Sequence, residues 1–390
     1  MTLLSFFKDK FKWNEPLGIT ETTATLFGAF VNYAPSPGYR KFFRFFGWYI
    51  IFMFIIFNIN VVLTIYFASD FFEESLEAVR LFVTAIHILA KLLTMRAMEK
   101  QYMELIEQIR RAWRTYEYSS GDMLNKTLAA ANKGTVIVFV AIGNTIPINV
   151  IVAALKNLGN PPEIQFSMQC WVPPSLRTSF LAGSFYQLTP YFFPVMLYCM
   201  TISFLNSITL HVEALGLALA KEIRSQKEWR DEAARSLYIK HQEVVRIVGR
   251  VNDLMASNWG FEMMCATLQL TLVSYNALRT LKKNDVAFFN QANLMLVNFL
   301  VIYFIYGNGN RIIKMGEELH NSLYDTKWYT STVKERKNVL FMMFRTSMPM
   351  EYRFKIAHFD LPSFAKLVNT VFSYITLLRS VDEPEEQGAF

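Results

Sequence analysis

The sequence predicts an all-α integral membrane protein: seven transmembrane helices, a cytoplasmic N-terminus, an extracellular C-terminus and long cytoplasmic helical extensions. Three observations predict it. First, 53% of the 390 residues are apolar and only 18% charged, with 35 Phe and 18 Tyr, whereas a soluble domain carries about 25% charged residues. Second, the apolar residues gather into windows long enough to cross roughly 30 Å of hydrocarbon. Third, Lys and Arg lie mostly on one side of those windows. The composition excludes a disordered chain, a collagen and a small disulfide scaffold.

The windows are 45–69, 76–95, 135–154, 183–210, 258–277, 286–306 and 363–378. The first has no charge in its 25 residues. The last spans only about 24 Å at 1.5 Å per residue, which suits a helix surrounded by protein. Of 39 Lys and Arg, 31 fall on the N-terminal side, counting Lys366, and seven on the other, counting Arg80 at the outer end of the second window, with Lys91 deeper inside that window. That split places the N-terminus, with Lys8, Lys10 and Lys12, in the cytoplasm. The acidic Asp70, Glu73, Glu74 and Glu77 and the 382–386 tail then lie outside. G-protein-coupled receptors have the reverse orientation. No Asp-Arg-Tyr-like triplet ends the third window, and no Asn-Pro-x-x-Tyr lies in the seventh.

Three cytoplasmic segments carry apolar stripes at helical spacing. Segment 96–118, expected to continue the second span, has Tyr102, Leu105, Ile106, Ile109 and Trp113. Segment 237–255 has Leu237, Val244, Val248, Val251 and Met255; segment 317–345 has Leu319, Leu323, Trp328, Val339, Met342 and Met343. With charges on their other faces, these stripes should pack into an intracellular layer and could also carry a subunit interface.

Enzyme and cofactor chemistry finds little support. Gly307 and Gly309 follow a helix rather than a strand, so they read as a frayed helix end and not a dinucleotide loop. The five His show no paired metal-ligand spacing, and Cys170, Cys199 and Cys265 form no disulfide or zinc pattern. The net charge of +7 follows from the basic inner loops, with membrane lipid rather than nucleic acid as the anionic partner. Lys91 and Glu262 sit near the inner ends of their spans and are expected to snorkel to the interface. His87 is either a packed core residue or a pocket residue.

The outer halves of the spans offer aromatic walls with a few hydroxyls and amides, which suit a small, mostly apolar ligand. The candidate contacts are Val83, His87, Thr145, Asn149, Val152, Tyr186, Thr189, Phe193, Thr271, Tyr275 and Gln291. Pro190 and Pro194 should break the fourth helix. Ordinary helix packing would produce the same pattern. On the seventh span Thr370, Ser373, Leu377 and Ser380 share one face, opposite Val371, Ile375 and Leu378. A narrow polar stripe holding one leucine fits a pore lining with a hydrophobic gate, and a single copy cannot enclose a pore. Packing of small residues is again the alternative.

The ordered set Leu319, Asn321, Tyr324, Trp328, Tyr329, Arg336, Lys337, Ser347 and Pro349, followed by Ser373, Tyr374, Leu377, Leu378, Arg379 and Ser380 near the C-terminus, resembles the insect odorant receptor family. The ending differs from that of the shared co-receptor, and the co-receptor's long extra intracellular loop is missing. The chain therefore looks like a ligand-tuning subunit. The resemblance implies a non-enzymatic, cofactor-free subunit of a tetrameric cation channel gated by small volatile molecules and working with the odorant co-receptor. It also implies the plasma membrane of olfactory dendrites. Residues 1–316 would form the six-helix bundle with the ligand pocket and inner loops. Residues 317–390 would form a split seventh helix, with 317–345 as anchor and 363–380 lining the pore. A metabotropic receptor, a sister gustatory-type channel and a carrier for apolar molecules are the alternatives.

Overall fold

The computed structural model describes residues 15–32, 36–68, 75–159, 161, 163–168, 170–226, 229–283, 285–355 and 357–382. Lys8, Lys10, Lys12, Asp70, Glu73, Glu74 and the tail beyond Asp382 lie outside them. The described helices are α1 (Gly18–Leu26), α2 (Pro37–Phe67), α3 (Leu76–Ala97), α4 (Glu99–Gly143), α5 (Thr145–Leu158), α6 (Phe180–Arg224), α7 (Asp231–Lys282), α8 (Ala287–Tyr324), α9 (Val333–Thr346) and α10 (Leu361–Asp382). A two-residue hairpin, β1 (Arg353–Phe354) and β2 (Ala357–His358), precedes α10.

Local sequence sets many of the ends. Ser36 caps α2 by accepting from the Tyr39 amide, with Pro37 in the first turn. Thr332 and Glu335 form a reciprocal capping box on α9. Among the described residues, six helical stretches are long and apolar enough to cross a membrane. The 258–277 window lies within the 52-residue α7 and is not one of the six; Glu262 and Gln269 dilute its hydropathy. Helix α6 stands at the centre, since 89% of its most apolar stretch is buried, against 28% for α2 and 11% for α10. Around it pack α2, α3, α4, α7 and α8, while α10 lies against α7 and α8.

The three inner stripes meet as expected. Tyr102, Leu105, Ile106 and Ile109 of α4, Leu237, Val244 and Val251 of α7, Leu319 and Leu323 of α8, and Val339 and Met342 of α9 are all buried in one core. Exposed pairs such as Arg224–Glu318 and Arg250–Glu104 rim this layer, each contributing about 0–1 kcal/mol.

Five expectations are corrected. Segment 96–118 does not continue the second span unbroken, because the backbone leaves the helix at Met98, and it leaves it again at Ser120 within α4, before the third span. Glu99 fixes the start of α4 by accepting from the backbone and side-chain nitrogens of Asn32. The third span breaks at Asn144, where Pro147 fits within the first turn of α5. Pro190 and Pro194 do not break α6, which stays continuous through both, with each proline itself buried. Gly307 and Gly309 do not end a helix, for α8 runs through them to Tyr324. There α8 crosses the segment before α10 so closely that a Cβ on Gly309 would lie 1.8 Å from the Phe359 carbonyl oxygen. The seventh helix is also longer than its window, and its 22 residues reach about 33 Å.

Candidate functional site

Helix α10 starts where the Asp360 carboxylate accepts from the Ser363 amide at 2.8 Å. Its apolar face binds it to the bundle, with Val371 and Ile375 buried. Leu378 packs on a small cluster of Leu76 from α3 and Leu272 and Tyr275 from α7. The polar stripe faces the other way. Thr370, Ser373 and Ser380 are exposed, and Leu377 is 60% exposed. The three hydroxyls donate to carbonyls of their own helix, which spares the apolar surroundings their donors and leaves oxygen lone pairs outward.

The eleven expected ligand contacts are placed unequally. Thr145, Asn149 and Val152 are buried on α5, and Thr271, Tyr275 and Gln291 on α7 and α8, while Val83 and Thr189 are half-buried. Tyr275 reaches the α10 cluster. Tyr186 donates to Asn60 of α2 at 2.9 Å, and Phe193 stands edge-on to Phe46 and Tyr49 of α2. Thr189 and Thr271 bond back to their own helices. The buried amide oxygen of Gln291 has no described partner. Two cavities are described and none of the eleven residues lines either. One, of about 500 Å³, opens between α7 and α9 beside Asp231, Tyr238 and Phe341. The other, about 20 Å³, lies between Lys91, Tyr102, Thr201 and Asn258.

Above the bundle, Gln187 of α6 clamps the loop before it, accepting from the Met168 amide and donating to the carbonyls of Met168 and Cys170. The Trp171 amide donates to Thr64 of α2. Just below, Glu77 and Arg80 of α3 form a buried ion pair. Glu77, expected on the outer side, is thus paired within the protein rather than open to solvent.

The largest departure concerns Lys91 and Glu262. They do not snorkel. Glu262 is 1% exposed and Lys91 5%, and the two pair directly. His87 Nε2 lies 2.8 Å from the same carboxylate, and the Tyr198 hydroxyl donates to its other oxygen at 2.8 Å. The reason is saturation: a carboxylate with several donors tolerates an apolar interior that a lone charge would not. Neither Lys91 nor Glu262 reveals this alone. The available signal was the spacing of Glu77, Arg80, Thr84, His87 and Lys91, which puts all five on one face of α3.

Comparison with known proteins fits this architecture. Odorant receptor 13a of Drosophila melanogaster is 23% identical over 191 residues, covering 46% of this chain and 46% of that one. Odorant receptor 2a of the same species is 23% identical over 203 residues, with 48% and 49% covered. The chain thus matches about half the length of these relatives. The structure of olfactory receptor OR5 from Machilis hrabei in complex with eugenol superposes with a TM-score of 0.77 at 12% identity, covering 96% of this chain and 99% of that one. The fold is that seven-helix membrane fold. A family model described as 7tm Odorant receptor matches residues 71–372, and the chain belongs to that family.

Proposed function

We propose that this chain is the ligand-tuning subunit of a non-selective cation channel opened by small volatile, mostly apolar molecules, in a heterotetramer with the odorant co-receptor at the plasma membrane of olfactory dendrites. The observation that carries this reading is the orientation of α10. Val371, Ile375 and Leu378 hold it to this chain, while Thr370, Ser373, Leu377 and Ser380 face outward together with Phe372 and Tyr374, which are 64% and 49% exposed. An exposed polar stripe on a membrane helix needs water or other subunits, and copies around an axis supply both. Leu377 is the hydrophobic gate in this scheme. The anchor layer offers the matching contact surface: Val333, Leu340, Phe341 and Phe344 of α9 are exposed large apolar residues on the inner side. The anchor part of the seventh helix is 317–345 and the pore part 363–380, following a bundle of residues 1–316. The ligand contacts a set drawn from Val83, His87, Thr145, Asn149, Val152, Tyr186, Thr189, Phe193, Thr271, Tyr275 and Gln291. Of these, Tyr275 touches the cluster that includes Leu378, so ligand contact there bears directly on the pore helix.

Patch-clamp recording from cells expressing the chain with its co-receptor tests the reading. Leu377→Ala should raise basal current or alter gating. Tyr275→Ala should shift ligand potency more than ion selectivity. Wild-type gating in Leu377→Ala would remove it as the gate, and ligand responses that need intracellular nucleotides would favour a metabotropic receptor.

A further inference from the structure

We infer that Glu262 is a positioning residue that couples the ligand-contacting helices to the pore helix through two alternative placements of the Lys91 ammonium. The inference deepens the channel reading and rests on it. One turn of α7 makes both connections. At its start, Trp259 packs on Tyr352 at 4.8 Å and on Phe359 at 5.5 Å between ring centroids. Beside it, Gly260 admits the Phe354 ring, which an added Cβ would meet at 2.1 Å. Two turns earlier, Asn252 accepts from the Arg353 amide at 2.8 Å. The 350–360 connection that leads into α10 is thus seated on α7. At the end of the same turn, Glu262 gathers Lys91 and His87 from α3 and Tyr198 from α6.

The second place for Lys91 is the adjoining cavity. It is lined by Lys91, Tyr102, Thr201, Asn258 and Trp259 and measures about 20 Å³, enough for about one water. A lysine ammonium there finds hydroxyl and amide oxygens in place of the carboxylate. Moving it leaves Glu262 with the donors His87 and Tyr198 and gives the ammonium neutral oxygens only, so the second placement parts the two charges and lies higher in energy until ligand contact favours it. The lining also includes Trp259, which holds the 350–360 connection. Ligand contact at Val83 or His87, about two turns and one turn from Lys91 on α3, biases the choice between placements. A two-state element that both sites bias is what coupling requires.

The test uses the chain expressed with its co-receptor, a fixed panel of small alcohols, esters and phenols, and surface labelling to normalise expression. Glu262→Gln and Lys91→Met should each shift the half-maximal concentration or the basal open fraction by about tenfold, with unchanged single-channel conductance. The double variant should shift by less than the combined singles. Tyr198→Phe, which removes one donor without stranding a charge, should shift in the same direction by about threefold. Singles and Tyr198→Phe all within about twofold of wild type would overturn the inference. Absence of current from the wild-type chain would count against the channel reading, and hydrogen exchange on purified protein then decides this one. Exchange of the 350–360 connection should rise in Glu262→Gln and Tyr198→Phe and stay at the wild-type level in Glu77→Gln, which breaks the other buried pair. An equal rise in all three marks general loosening and refutes it.

Discussion

Alanine at Gly309 isolates a single steric term. The added Cβ would lie 1.8 Å from the Phe359 carbonyl oxygen, whereas non-bonded heavy atoms rest about 3.5 Å apart. Backbone must therefore retreat by well over 1 Å, and the backbone in question leads into α10. Overpacking of this kind costs about 1–3 kcal/mol, and a clash with a carbonyl belongs at the upper end. Alanine also favours the helix by about 1 kcal/mol relative to glycine. Gly307 supplies the control, two residues away on α8 with nothing within 4 Å of its added Cβ. Because the helix gain is common to both variants, their difference is the clash, about 3 kcal/mol. Thermal unfolding of detergent-purified protein at one scan rate should place Gly307→Ala at or above wild type. Gly309→Ala should fall below it, about 5 °C from Gly307→Ala. If Gly309→Ala unfolds at or above Gly307→Ala, the crossing of α8 over the 350–360 connection is wrong.

Two other perturbations report on the inner layer. Burial, aided by Arg345, pulls the His241 imidazole down to about 4. The unfolded chain therefore binds the proton first, and stability is lost as pH falls from about 6.5 toward 4, by at most about 3 kcal/mol. A His241→Phe variant should lose less stability than wild type between pH 7 and 4.5; parallel melting curves would contradict the burial. Arg110 donates to the Pro16 carbonyl at 3.1 Å and to Glu21 at 2.6 Å, fastening α1 to α4. Arg110→Ala should weaken that attachment by about 2–4 kcal/mol, read as faster amide hydrogen exchange of α1; unchanged exchange would show that other contacts hold α1.

What the sequence makes legible is what repeats along it. Apolar windows and stripes such as Leu237, Val244 and Val251 announce spans and inner helices because burial of one face imposes the period. The α10 stripe is legible for the same reason. Features set by contact between distant segments are not. Lys91 and Glu262 lie 171 positions apart, and each judged alone favours escape to water. Gly307 and Gly309 carry the composition of a helix end, yet Gly309 serves a crossing with Phe359. Proline misleads in both directions, since Pro147 coincides with a break while Pro190 and Pro194 sit in an unbroken helix.

The length of α7 has a mechanical corollary. Its 52 residues form a rod of about 78 Å, of which about 46 Å lies between Glu262 and Asp231. A tilt of about 5° pivoting at Glu262 would sweep the Asp231 end through about 4 Å. That end borders the open groove against α9, so a rearrangement too slight to see among the spans would be magnified at the inner surface.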